Sequence, residues 1–467
     1  MRYGGYLFSV AGARVAGILI TSVTFPYLVR RLGVETYGRW SYIIALCAFL
    51  DLIADPGITS YSIQQVASRR DEAFKLIPDI LCLRLLTTFL AIAILVVAAS
   101  FEVRCDLRQL LRLYGVGILL VNLISADHFL TALEMFHRRS MLTVLQQVLY
   151  GAGIFCLIHS PHDILWLPVT LLISTAIAAV LGWYSLRSRG LQWKLAFRPG
   201  RWKGILVPGL HYASATLMSN VYHRSGHLLV RWFLGDYALG LYAAAVRFVD
   251  LLRGFVIVSL QVLMPRLAVA TKSVAELRRL ATVAVTAIAL ISIPLACGLV
   301  GTANLIVPWL LGAPFVSAIP LVQWMAPYLI TASAASLFAG TILFSAGRHR
   351  AYLASTAGGA VAGLVFYLIL ISAFGLKGAA VAFVLAELVV AGIAFGLLPE
   401  LRDSWKNPAL AISAGAALLM LISVKLVILY TSGIFTVVSV GITVYALACG
   451  WFVRRILIGQ RSVPQSA

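Results

Sequence analysis

Charge is scarce in this sequence, and negative charge is scarcest: Asp and Glu number 17 in 467 residues, and charged residues of both signs make up 12%. Soluble domains carry roughly 25% charged residues. A chain of this length cannot cover a water-facing surface with so few, which excludes the soluble globular class. Cysteine is also sparse. The six present (Cys47, Cys82, Cys105, Cys156, Cys297 and Cys449) form no CxxC or Cys/His spacing. Neither a zinc site nor a disulfide framework is indicated. HExxH, GxxxxGK(S/T) and GxSxG are all missing, and His159 and His162 stand in a loop without further ligands. Those absences argue against metalloprotease, nucleotide-driven and hydrolase chemistry. No catalytic residue, metal ligand or nucleic-acid partner is therefore expected. Without an ATP site, any uphill work must draw on an ion gradient, on membrane potential or on consumption of the product.

What is abundant is apolar. Hydrophobic residues are 61% of the chain, and they fall in fourteen stretches, at 4–29, 40–63, 76–100, 110–133, 141–158, 164–186, 204–234, 238–263, 280–302, 319–346, 352–374, 378–398, 409–430 and 434–453. A helix crosses hydrocarbon with about 20 residues. The reading is an all-α polytopic membrane protein with about fourteen transmembrane helices. The first stretch has no small-residue cleavage site and continues to Val29, so it reads as a span rather than a signal peptide. Prolines interrupt the stretches at Pro26, Pro208, Pro294 and Pro327, where a moving bundle could hinge.

The formal net charge is +20. With the N-terminus placed inside, most Lys and Arg fall in the inner segments, including the loop RSRGLQWKLAFRPGRWKG, and few fall outside. The bias places both termini in the cytoplasm. Some basic residues remain within the spans: Arg14, Arg84, Arg224, Arg231, Arg247, Arg253 and Lys425. Acids there are Asp51, Asp55, Asp127, Asp250 and Glu387. A charge at the bilayer centre costs about 2.5–3.5 kcal/mol on insertion scales. Such groups are expected to face a wet interior, and arginines there suit an anionic cargo.

An internal echo organises the chain. RRLGVETYGRWSYIIALCAFLDLIADPG and RWFLGDYALGLYAAAVRFVDLLRG both place Leu-Gly, then a second glycine five residues on (Gly33 and Gly38; Gly235 and Gly240). Each then enters an apolar helix bearing an acid, Asp51 or Asp250. Six helices separate the copies, so both have the same orientation, as in transporters built from parallel repeats. The expected organisation is two pseudo-symmetric six-helix lobes plus a C-terminal helix pair. The N-terminal lobe covers 1–190 and a basic cytoplasmic linker covers 191–203. The second lobe covers 204–400, and the helix pair and tail cover 401–467.

Candidate binding residues follow from helical spacing. Asn220, Arg224, His227 and Arg231 recur at intervals of four, three and four, on one helix face. A cavity-facing stripe is the reading for Arg224, and snorkelling to headgroups the one for Arg231. Arg247, Asp250 and Arg253 are three apart. They are either a bracing triad or a cation site whose spare charge suits a diphosphate, because arginine's planar fork matches phosphate oxygens. Arg14 either pairs with an acid of the second span or binds cargo. In the second case Asp51 and Asp55 would hold a coupling H⁺ or Na⁺. Arg84 and Asp127 match in depth and read as a structural pair. Trp40 and Trp232 sit where an interfacial belt would place them.

Four segments carry a family resemblance: Pro26-Tyr27-Leu28-Val29-Arg30-Arg31-Leu32-Gly33 with Tyr37-Gly38; Asp55-Pro56-Gly57-Ile58; Met264-Pro265-Arg266-Leu267; and Phe374-Gly375-Leu376-Lys377-Gly378-Ala379-Ala380. With these, the chain resembles the Wzx-type polysaccharide flippases, in the superfamily that also holds lipid II flippases and MATE drug exporters. Proline after Asp55 departs from the common form. The resemblance implies alternating access in a bacterial inner membrane and no cofactor beyond a coupling H⁺ or Na⁺. It implies a polyprenyl-diphosphate-linked oligosaccharide, an O-antigen or capsule repeat unit, as cargo. The diphosphate would bind among Arg14, Arg224, Arg247 and Arg253. Membrane lipid, a polysaccharide polymerase and chain-length machinery would be its partners. A MATE-type antiporter would want an acidic cavity, and a membrane polymerase or ligase would want a large outer loop. A lipid II flippase is the nearest sibling.

Overall fold

In the computed structural model, residues 2–68, 73–102, 104–189, 196–270, 273–406, 408–431 and 433–461 are described. Residues 191–195 of the linker expected at 191–203 lie outside them, as do Arg69, Arg70 and the side chains of Met264, Pro265 and Arg266. The described chain is helical throughout: α1 (Arg2–Ala54), α2 (Ile58–Ser68), α3 (Ala73–Ser100), α4 (Cys105–Ile124), α5 (Asp127–Ala132), α6 (Phe136–Leu157), α7 (Trp166–Arg187), α8 (Pro199–Ala270), α9 (Val274–Leu311), α10 (Ile319–Met325), α11 (Tyr328–Ala335), α12 (His349–Gly396), α13 (Pro408–Tyr430) and α14 (Ile434–Arg461). By length and composition, nine of the described helices could cross a membrane, or ten if the bent pair 313–325 and 328–343 forms one span.

The fourteen expected spans outnumber these candidate crossings because three helices double back. At 1.5 Å per residue, the 72 residues of α8 would be far longer than a bilayer is thick if straight. Glycine reverses each one. Gly33, Gly235 and Gly375 have φ of 72°, 83° and 58°, a region that favours glycine. The reversals show in contacts no straight helix can make. The Phe25 and Tyr37 rings lie 6.2 Å apart, and those of His227 and Tyr242 lie 5.3 Å apart. A Cβ on Gly378 would meet the carbonyl of Leu370. Each of α1, α8 and α12 therefore carries two of the expected passes, with the second pass of the first hairpin continuing into α2.

Other passes are broken rather than reversed. The second is cut at Asp55-Pro56-Gly57, between α1 and α2, and the fourth at Ser125-Ala126, between α4 and α5. The tenth bends by 52° around Pro327 and continues through a π-helical turn at Ser336–Leu343.

The chain packs as two compact units, Met1–Ala243 and Ala244–Ala467. In the first, α1 packs against α3, α4 and α6, and α7 packs against α4 and α6. Its core holds Ile58, Ile77, Phe129, Leu130, Trp183 and Leu186. The boundary falls just past the Gly235 turn, so residues 199–243 pack with this unit. In the second unit α9 is central, touching α11, α13 and α14, while α12 packs on α10 and α11.

Candidate functional site

The two broken passes of the first unit meet each other, α2 against α5. Beside them is a cavity of about 560 Å³. A break inside a membrane leaves backbone groups that lipid cannot satisfy. Here side chains satisfy them. The Thr87 hydroxyl donates to the carbonyl of Ala54 at 2.6 Å, and the Trp183 indole donates to that of Ile124 at 2.9 Å. The Asp55 carboxylate accepts the Thr59 amide at 3.0 Å and so caps α2. Gly57, at φ 80°, lies against the backbone of Gly209, where any Cβ would collide. Broken helices held open in this way mark binding sites in many membrane transporters.

The charged walls of the cavity are the acids Asp51, Asp55 and Asp127 and the bases Arg84, Arg139 and Arg224. The two signs are equal in number there. Their attachments are specific. Asp51 accepts from the Asn122 amide at 2.6 Å. Asn220 donates to the carbonyl of Ala48 at 3.1 Å, which fixes this part of α8 to α1. Arg84, 5% exposed, has its Nη1 2.9 Å from Nδ1 of His128. The same Nη1 lies 3.1 Å from Nε2 of that ring. The expected Arg84–Asp127 pair is thus displaced by one residue, and Asp127 lines the cavity instead.

The expected site residues divide between the units. Asp51, Asp55, Asn220 and Arg224 line the cavity together. His227 is 6% exposed and makes a ring contact with Tyr242, a packing role. Arg14 is exposed on α1 and is not among the cavity's walls. Arg231 joins an ion cluster around Asp236 rather than reaching alone to headgroups. In the second unit, Arg253 donates to the Tyr328 hydroxyl at 3.0 Å and to Ser336 at 2.9 Å, while Tyr328 donates to Asp250 at 2.6 Å. Arg253 also lies 3.7 Å from Asp250, and Arg247 is exposed. The triad is therefore an Asp250–Tyr328–Arg253 network at the π-helical turn, with the buried Glu387 in electrostatic range. Sequence reasoning misses Asn122, His128 and Arg139. Asn122, an amide within an apolar run, is the readable sign.

A cavity of this kind offers donors and acceptors of both signs at the breaks of two spanning helices, which suits a large polar headgroup. The family described as Polysaccharide biosynthesis protein matches residues 7–271. The chain belongs to that family. No curated protein matches its sequence. Among solved structures, the lipid II flippase MurJ in an inward closed conformation aligns with a TM-score of 0.75 at 16% identity, covering 97% of this chain and 99% of that one. An inward-facing multidrug resistance MATE transporter of the MOP superfamily aligns with 0.66 at 14% identity, over 85% and 99%. A MOP superfamily transporter from Pyrococcus furiosus, whose binding pocket is described as reversed in polarity, aligns with 0.59 at 14%, over 86% and 96%. At such identities the likeness is one of fold: this is a multi-pass membrane protein of the polysaccharide biosynthesis family whose fold is like that of these proteins.

Proposed function

We propose that this polysaccharide biosynthesis family member is a flippase for a polyprenyl-diphosphate-linked oligosaccharide, an O-antigen or capsule repeat unit, in a bacterial inner membrane with both termini cytoplasmic. The observation that carries the reading is the cavity at the two broken helices, with Arg84, Arg139 and Arg224 in its walls. Arg224 and Arg139 would take the diphosphate oxygens, because guanidinium binds them through paired N–H donors. Arg84 is oriented by His128 and would add its charge. The Asn122–Asp51 pair and Asn220 present amide and carboxylate groups suited to sugar hydroxyls. Burying a diphosphate without such partners would be prohibitive.

The same walls support ion coupling. Asp55 is engaged as a cap on α2, whereas Asp51 touches a side chain that can reorient. Asp51 is therefore the acid proposed to exchange H⁺ or Na⁺ during alternating access. The proposed role is transport, with polymerisation left to partner proteins. The test is complementation in a strain lacking the native protein. Arg224→Ala is expected to abolish surface polysaccharide at normal protein level, and Arg224→Lys to restore part of it. Normal polysaccharide with Arg224→Ala and Arg139→Ala combined would reject the reading.

A further inference from the structure

A second cavity of the first unit has no part in that role. It measures about 520 Å³ and is lined by Tyr42, Leu46, Arg104, Leu228, Arg231, Trp232, Gly235 and Asp236. It lies at the end of the unit where the Gly33 and Gly235 turns touch. A Cβ on Gly38 would strike the carbonyl of Asp236, and one on Gly240 would strike that of Val34. The contact is reciprocal, each copy of the repeated hairpin placing its second glycine on the residue after the other's turn. The two backbones are thereby locked side by side, and the side chain of Asp236 is delivered into a ring of arginines.

Three guanidiniums from distant parts of the chain converge on that carboxylate. Arg231 Nε reaches Oδ1 at 2.9 Å, Arg104 Nη1 reaches Oδ2 at 3.0 Å, and Arg39 Nε reaches Oδ2 at 3.5 Å. Glu102 lies 3.4 Å from Arg231, and Glu35 lies 2.6 Å from Arg39, neither of them lining the cavity. In the cavity wall itself, Asp236 is the acid beside Arg104 and Arg231. One carboxylate thus occupies a position whose donors converge as they do on an oxyanion. A phosphate carries about −1.5 to −2 charge and three oxygens, and matches such donors better than a single carboxylate does.

We propose that this cavity binds a phosphate-class oxyanion, and that the Asp236 carboxylate is its internal stand-in, competing with the ligand for Arg104 and Arg231. Entry is open: the Arg104 side chain is 44% exposed, and Trp232 is 79% exposed. The rest of the lining is apolar, with Leu46 and Leu228, and the Arg231 guanidinium lies 3.8 Å from the Tyr42 ring centroid. A charged collar beside an apolar lining, with an exposed tryptophan, fits the headgroup of an anionic amphiphile as well as free phosphate. In the orientation proposed above, the site is on the outer face. Exchange requires Asp236 to rotate away from Arg104, while the glycine contacts hold the backbone.

The experiment is titration of the full-length protein in phosphatidylcholine nanodiscs with inorganic pyrophosphate, by calorimetry. Asp236→Asn removes the competitor and keeps the cations, so binding is expected to tighten by about ten-fold. Arg104→Gln, at a half-exposed position, is expected to cancel that gain and to weaken wild-type binding. Arg224→Ala, in the other cavity, is expected to leave the gain intact, so failure here and failure of the flippase reading are separable. Phosphatidic acid in the nanodisc that competes with pyrophosphate in Asp236→Asn would identify a lipid headgroup as the source. An intact gain without competition would identify a soluble phosphate. Asp236→Asn binding no more tightly than wild type, or Arg104→Gln leaving its affinity unchanged, would overturn the proposal.

Discussion

Tyr445 supplies the hydrogen bond that Pro294 withholds. Proline has no N–H, so Pro294 in α9 leaves the carbonyl of Leu290, four residues back, without its helical donor. The Tyr445 hydroxyl of α14 donates to that carbonyl at 2.9 Å and lies 3.0 Å from Ser413 of α13, which donates to the neighbouring carbonyl of Ala289 at 2.9 Å. The last two helices, which lie outside the repeat, are pinned at the Pro294 turn of α9.

A coupled pair of substitutions follows. Tyr445→Phe is expected to cost about 1 kcal/mol, the scale of interhelical hydrogen bonds in membranes. In a Pro294→Ala background, where the introduced alanine supplies the helical N–H, the same change is expected to cost much less. A double-mutant cycle on thermal unfolding in detergent measures the coupling.

The cut in the second pass makes glycine obligatory twice over. Gly57→Ala meets both the φ of 80° and the Gly209 backbone. The expected outcome is a loss of folded protein, read by size-exclusion chromatography of the solubilised chain. Gly340→Ala, at a position where a Cβ meets nothing within 4 Å, is expected to behave as wild type.

Arg84 is buried against His128. His128→Phe leaves the guanidinium without that acceptor and is expected to destabilise by about 2–3 kcal/mol, the scale for a lost hydrogen bond to a charged group. His128→Asn retains an acceptor and is expected to cost less. Thermal melts of both variants decide.

Asp51→Asn preserves an oxygen for the Asn122 amide, now 2.6 Å from Asp51 Oδ1, but cannot release a proton or hold a cation. Folding is expected to be retained. Transport in proteoliposomes is expected to lose its dependence on a pH or Na⁺ gradient, while Asp55→Ala, which removes the acceptor that caps α2, is expected to lower stability by about 1 kcal/mol.

Much of the architecture is legible in the residues. Hydropathy gives the passes, and the paired glycines at 33/38 and 235/240 mark both the repeat and the place where its copies touch. What one-dimensional reading misses is which polar groups share a space. Matching Arg84 to Asp127 by depth falls one residue short, because the chain breaks at Ser125-Ala126 and α5 presents His128 instead. Counting arginines suggests a cationic interior, yet Asp51, Asp55 and Asp127 converge on the same cavity as Arg84, Arg139 and Arg224. Asp236 is inconspicuous in a loop-like segment. Its role depends on Arg39 and Arg104, distant in sequence, which no spacing rule connects to it.

The account rests on anionic cargo entering the cavity at the broken helices. The direct measurement is translocation of a fluorescent polyprenyl-diphosphate-oligosaccharide in proteoliposomes holding equal amounts of folded wild type, Arg224→Ala and Arg224→Lys. Loss of one desolvated phosphate contact predicts at least about a ten-fold fall in rate for Ala and a smaller fall for Lys. Wild-type rates for Arg224→Ala would contradict it.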